Sequence, residues 1–235
     1  MTKSSDMAVR NVNDPTVFSR AVRGALRLGF RRAYPRVQVD AEKFLHHARR
    51  AYNLPIESWR DMHSLDEETI IPAAEQIISS SAKMAALEGM GLGIGGMATL
   101  LPDMGILAAI TIRMLQKLSL IHGFEYSTLD EMAALWLAAA TAAGLDFTRE
   151  FVEKRAIEHL VPRLVDAMAV KVGAEVAEKW AGRVIPLVGA GAAAALNYYF
   201  VRSWGKRAQL HFLEKHRAVR GNLFAERALL PAPTH

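Results

Sequence analysis

The chain has no cysteine. That excludes disulfides, thiolate zinc sites, iron–sulfur clusters and cysteine nucleophiles together, and it suits a cytoplasmic setting. It also lacks any run of alternating β-branched residues bounded by turn signals, so no sheet is expected. The polar stretch over residues 1–14 is followed by apolar residues studded with arginines, which does not read as a secretory signal. Aromatic residues make up only 8%, and no helix-turn-helix pattern stands out, which weighs against a nucleic-acid partner. What is present is ample for folding. A chain of 235 residues, 51% hydrophobic and 23% charged, excludes disorder over most of its length and can bury roughly 70% of its unfolded surface.

The net charge of +5 is distributed unevenly. Residues 1–36 carry eight basic and two acidic side chains, residues 201–235 carry seven and two, and the stretch between them carries fourteen and twenty. Basic ends around an acidic middle point to an anionic surface as partner, or to docking of the ends on the middle. Asp14-Pro15 reads as a helix start, and the segment 14–36 sets Arg20, Arg23, Arg27 and Arg31, with Arg32 beside them, against an apolar face of Phe18, Val22, Ala25 and Gly29. Such a basic amphipathic helix lies in a membrane interface or docks on a partner. Arg202, Lys206 and Arg207, beside Tyr199 and Trp204, form a second basic and aromatic patch.

Helical periodicity dominates the rest, and the fold class expected is all-α, a single-domain multi-helix bundle over residues 37–217 with glycine-rich breaks at its centre. Residues 1–13 read as a flexible N-terminus and 218–235 as a C-terminal tail, poorly ordered from Ala228 on. The spacing predicts helices over 40–52, from a capping box of Ser64 and Glu67 to Leu87, and over 99–121, 128–143, 147–180 and 188–216. Two segments are long and apolar enough to raise the question of membrane insertion: 89–112, with Asp103 its single charge, and 184–201, with none. The first holds six glycines, a proline and a central aspartate, while the second draws its bulk from alanine and contains Pro186 and Asn197. Both compositions fit close helix packing in a protein core better than lipid.

Few motifs bear chemistry. Glu88 opens a run with Gly89, Gly91, Gly93, Gly95 and Gly96, five glycines in eight positions. Gly91-x-Gly93-x-x-Gly96 matches the dinucleotide fingerprint in spacing but lacks its preceding strand, and no P-loop lysine follows. The same glycines pair at four-residue intervals, which lets helix backbones approach. Asp103 is expected in the first turn of the next helix, where it would cap. The eight histidines show no metal-ligand spacing, so neither metal nor cofactor is expected. A hydrolase would have to bring Glu88 and Asp103 together near the glycine loop.

A second small-residue block follows, Ile185-Pro186-Leu187-Val188-Gly189-Ala190-Gly191, leading through four alanines to Asn197-Tyr198. With the Glu88–Gly96 run, Asp103 and the helix end His122-Gly123-Phe124, this block resembles the EcsC protein family of bacteria over residues 40–217, in the same order. The resemblance implies a link to transport or secretion, because the family takes its name from a member encoded beside an ABC transporter; it implies no assigned activity and no catalytic residues. It places any shared site at Glu88, Gly89, Gly91, Gly93, Gly95, Gly96, Asp103, Pro186, Gly189, Gly191 and Asn197. A buried Asn197 would have to partner its amide, and the glycine-opened backbone of residues 88–103 is the expected place. The function expected is that of a non-enzymatic accessory, peripheral to the inner face of the cell membrane, meeting anionic lipid or a membrane transporter through its basic ends.

Overall fold

In the computed structural model, the described residues are 38–92, 97–126, 135, 138–139 and 190–229. They form helices α1 (Ala41–Ala51), α2 (Trp59–Met62), α3 (Glu67–Leu92), α4 (Met97–Ile121) and α5 (Ala190–Leu229), with no strand among them. The all-α expectation holds. The predicted helices over 14–36 and 147–180 lie outside the described residues; of the one over 128–143, Leu135, Ala138 and Ala139 are described as helical and buried.

Helix α1 starts where the sequence places it. The Asp40 carboxylate accepts the Lys43 backbone N–H at 3.0 Å, and the helix closes at Tyr52, followed by Asn53 with φ of 51°, a left-handed position that asparagine tolerates. Its apolar residues Phe44, Leu45 and Ala48 are buried, and Phe44 stacks on Trp59 of α2 at 6.3 Å. The chain entering α1 is pinned to α4: the buried Gln116 Oε1 accepts the Val39 N–H at 3.0 Å, and the Tyr126 hydroxyl donates to the Val39 carbonyl at 2.5 Å.

The capping box expected at Ser64 and Glu67 does not form. The Ser64 hydroxyl instead donates to the Asp61 carbonyl at 2.7 Å, and Asp66 caps α3, its carboxylate accepting the Thr69 N–H at 2.8 Å. A full negative charge at the helix N-terminus meets the macrodipole as well as the orphan N–H, so the aspartate prevails over the serine two residues earlier. Box-like geometry occurs one helix earlier, where Asp61 accepts the backbone N–H groups of Glu57 at 2.9 Å and Ser58 at 2.7 Å.

The core is the triangle of α3, α4 and α5. Helix α3 packs most extensively on α5 and next on α4, while α1 leans on α4. Along α5, Val201, Trp204, Gly205, Ala208, Phe212 and His216 recur at three- and four-residue steps and are all buried. They face Ile70, Ala73, Ala74, Ile77, Ile78, Ala82 and Ala85 of α3. Helix α4 is buried almost all round from Leu107 to His122, as befits the middle element. Its end is a Schellman turn: the Phe124 N–H reaches Ser119 O and the Gly123 N–H reaches Leu120 O, both at 2.9 Å, with Gly123 at φ of 88°.

Three boundaries differ from expectation. Helix α3 continues to Leu92, so Gly89 and Gly91 are helical and any break is narrower than the glycine run. Helix α4 begins at Met97, which makes Asp103 its seventh residue, beyond the turn where a carboxylate caps. Helix α5 runs on to Leu229 where a tail from 218 was expected. The sequence beyond His216 offers only one interrupting residue, Gly221, before Pro231, and a single helical glycine costs only about 1 kcal/mol against alanine.

Candidate functional site

At the glycine end of the α3–α5 pair, Asn197 is buried and its Nδ2 donates to the Ala85 carbonyl at 3.3 Å. The bond lands one turn before Gly89, on regular helix, where a carbonyl engaged in the helix ladder still offers a second lone pair. Glu88 is half-buried on α3, Gly89 is buried beside it, and Gly91 follows within the helix. Gly191 is the second residue of α5, exposed, and a Cβ there would meet nothing within 4 Å among the described residues. Gly93, Gly95, Gly96, Pro186 and Gly189 lie outside the described residues, as do Arg20, Arg23, Arg27, Arg31 and Arg32. This end leaves apolar side chains in solvent: Met84, Leu87 and Met90 along α3, and Tyr199 on α5.

The second basic patch is partly engaged in the fold. Lys206 forms an ion pair with Glu75 that ties α5 to α3, Arg202 is half-buried, and Arg207 is exposed. None of the described helices is long and apolar enough to cross a membrane.

The densest polar cluster among the described residues is not legible in the sequence. His63, from the turn after α2, His122, at the end of α4, and His216, on α5, meet at the end of the bundle opposite Asn197. The ring of His216 lies 6.0 Å from that of His63 and 6.4 Å from that of His122. Phe212 stacks on His122 at 6.0 Å and on Phe124 at 6.3 Å, and the Lys215 ammonium sits 4.6 Å from the Phe124 ring centre. A cavity of about 230 Å³ opens here among His63, Ser119, Phe124, Glu125, Phe212 and Lys215. Gly123 is required where it stands: besides its positive φ, a Cβ would fall 2.7 Å from His63 Cε1.

Burial governs the electrostatics of this cluster. It pushes His122 down to about 4, against a raising contribution from the Leu118 carbonyl, which accepts from Nδ1 at 2.7 Å. His122 is therefore neutral near pH 7, with Nδ1 protonated and Nε2 a buried lone pair that has no hydrogen-bond partner among the described residues. His63 is lowered by burial and then by the nearby charge of His216, and Lys215 by burial. Among the described residues no group of three histidine or carboxylate side chains is arranged to hold a metal ion. Nothing in the spacing of residues 63, 122 and 216 could have announced their meeting; the only hint was the His-Gly-Phe helix end.

A second cavity, about 380 Å³, lies on α1 and is lined by His46, Arg49, Arg50 and Leu54. The first three occupy positions i, i+3 and i+4 of one helix face and are exposed, while Leu54 is buried beneath them. Glu88 lines neither cavity.

Residues 31–215, well over half the chain, match the model of the EcsC protein family, so the chain belongs to that family. No curated protein and no solved structure matches it.

Proposed function

We propose that this EcsC family protein is a non-enzymatic accessory that attaches to the anionic inner face of the cell membrane, where a transport or secretion system would be its working partner. The observation that carries the reading is the basic depression on α1. His46, Arg49 and Arg50 ring a space of about 380 Å³ above Leu54. Two guanidinium groups in that arrangement suit a phosphate, which arginine engages through paired N–H donors, and an apolar floor suits the ester carbon beside it. The charge layout supports the same reading, since the arginines at 20, 23, 27, 31 and 32 belong to the basic stretch 1–36, one of the two basic ends that flank an acidic middle. The exposed Met84, Leu87 and Met90 add apolar contact area of the kind an interface takes.

Vesicle sedimentation tests this, with neutral phosphatidylcholine against the same lipid containing phosphatidylglycerol. Binding is expected only to the anionic vesicles and is expected to fall with salt. Each basic residue near a charged surface contributes about 1 kcal/mol, so reversing Arg49 and Arg50 to glutamate should weaken binding by roughly thirtyfold or more. A separate reversal of Arg20, Arg23 and Arg27 measures the N-terminal share. Equal binding to both vesicle types, or no loss in either variant, overturns the proposal.

A further inference from the structure

We propose that His216 is a buried imidazolium that latches the histidine end of the bundle, holding α5 to the end of α4 and to the lead-in of α3, and that loss of its second proton releases the latch. A count of donors and acceptors carries the inference. His216 Nδ1 lies 3.1 Å from the carbonyl oxygen of His122, and Nε2 lies 3.0 Å from the carbonyl oxygen of Leu65. Carbonyl oxygens only accept, and a neutral imidazole has a single N–H, so a neutral ring would turn a lone pair toward one of the two oxygens. The doubly protonated ring satisfies both. The side chain is fully buried, so bulk water does not stand in for the missing donor. Neither acceptor lies within a helix: His122 follows the last residue of α4, where helix carbonyls are left over, and Leu65 lies in the turn ahead of the Asp66 cap of α3.

The surroundings suit one charge there and no more. From the turn before α3, His63 faces the ring, and from α4, His122 does; each is held below the ordinary histidine range, by burial foremost and by His216 in addition. From the start of α3, Asp66 and Glu67 supply negative charge. Glu67 is held low chiefly by its bond to Arg217, with His216 contributing. On α5 itself Lys215, Arg217 and Arg220 are the neighbouring cations, and Arg217 is already bound to Glu67 at 2.5 Å. One histidine of three therefore carries the charge while the other two remain acceptors or single donors. Releasing the latch would free the segment that carries His63 and the Gly123-Phe124 turn, which are walls of the 230 Å³ cavity.

The first test is ring-nitrogen NMR on the full chain near pH 7. Both His216 nitrogens are expected in the protonated region, and an unprotonated nitrogen at His216 overturns the proposal. The second is amide exchange at about pH 6 and about pH 9, corrected for intrinsic base catalysis. Protection over residues 63–66 and 122–124 is expected to fall about tenfold relative to residues 77–82 as the pH rises, and an equal change in both regions overturns the latch. His216→Phe keeps a ring without donors and should show the loosened pattern at both pH values; a pH-dependent pattern in that variant would also overturn it. Should that variant fail to fold, the two measurements on the unaltered chain still decide.

Discussion

Gly205→Ala is expected to destabilise the protein although alanine is the better helix former. A Cβ built at Gly205 falls 2.8 Å from Ile78 Cγ1, 2.9 Å from Ile78 Cγ2 and 3.0 Å from Met114 Sδ, where carbon contacts are comfortable at about 3.5–4.0 Å. Met114 has flexible torsions and can give way. Ile78 cannot: it is fully buried, both crowded atoms branch from its own Cβ, and a β-branched residue in a helix has one strongly preferred χ1. Helices α3 and α5 would have to part by several tenths of an ångström along their most extensive contact. Overpacking of this kind costs about 1–3 kcal/mol, against a propensity gain of about 1 kcal/mol. The net expectation is a loss of about 1 kcal/mol. Gly221, on the same helix, is exposed with nothing within 4 Å of its added Cβ among the described residues, so Gly221→Ala should gain up to about 1 kcal/mol.

The difference between those two substitutions isolates packing from propensity and should be about 2 kcal/mol, read by urea unfolding with helical circular dichroism and tryptophan fluorescence. A mutant cycle sharpens it. Ile78→Ala alone should cost about 2–5 kcal/mol, but it removes both crowded atoms, so the double variant should be more stable than the sum of singles by about 1–3 kcal/mol. If Gly205→Ala stabilises as much as Gly221→Ala, or if the cycle is additive to within about 0.5 kcal/mol, then Gly205 is not there for close approach and the argument fails.

Two further outcomes are expected. With His122 lowered from 6.5 to about 4, its unfolded form takes up a proton before the folded one does, so stability present above pH 6.5 is lost as pH falls toward 4, by roughly 3 kcal/mol in all; His63 shifts in the same direction. Unfolding midpoints of the unaltered chain and of His122→Asn, measured between about pH 7 and pH 4, should show the shallower acid slope in the variant, and parallel slopes would refute the assignment. Asn197→Ala should cost about 1–2 kcal/mol, since it deletes a long bond to a carbonyl that keeps its helix partner, whereas Asn197→Leu should cost less by filling the space. If the leucine variant costs as much as the alanine variant or more, filling the space recovers nothing and the packing argument is wrong.

How far the fold could be read in advance depended on the range of the interaction involved. The Asp40 cap and the length of α1 are local, and both stand in the sequence with their bounds. The start of α3 is also local, yet Ser64, Asp61 and Asp66 all offered acceptors within six residues, and only the three-dimensional turn decides which one meets the helix N–H groups. Helix ends near glycines were set too early or too late, because one glycine is a weak stop when the flanking residues bury a face. The basic face of α1 is legible, as His46, Arg49 and Arg50 fall at i, i+3 and i+4, but it carries fewer charges than the arginine stripe of residues 20–32, which makes the stronger signal. The histidine cluster was closed to reading, since its members come from three elements joined only by packing.

The two ends of the α3–α5 pair differ in kind, and the difference follows from what each must satisfy. Through the middle, alanines and Gly205 let the helices approach, and dispersion between Ile78, Met114 and Trp204 needs no polar help. At the histidine end α4 stops and the turn before α3 turns a carbonyl inward, and the two ring nitrogens of His216 face the carbonyl oxygens of His122 and Leu65. If His216 donates to both carbonyls, as proposed, its exchange for an apolar side chain strands both acceptors, whereas the apolar middle, outside the Gly205–Ile78 approach, tolerates swaps that conserve volume. Response to conditions should therefore concentrate at the histidine end and leave the middle unmoved. That division sets apart the two proposals: the attachment proposed for the basic face of α1 should respond to salt, and the opening proposed for the histidine end should respond to protons.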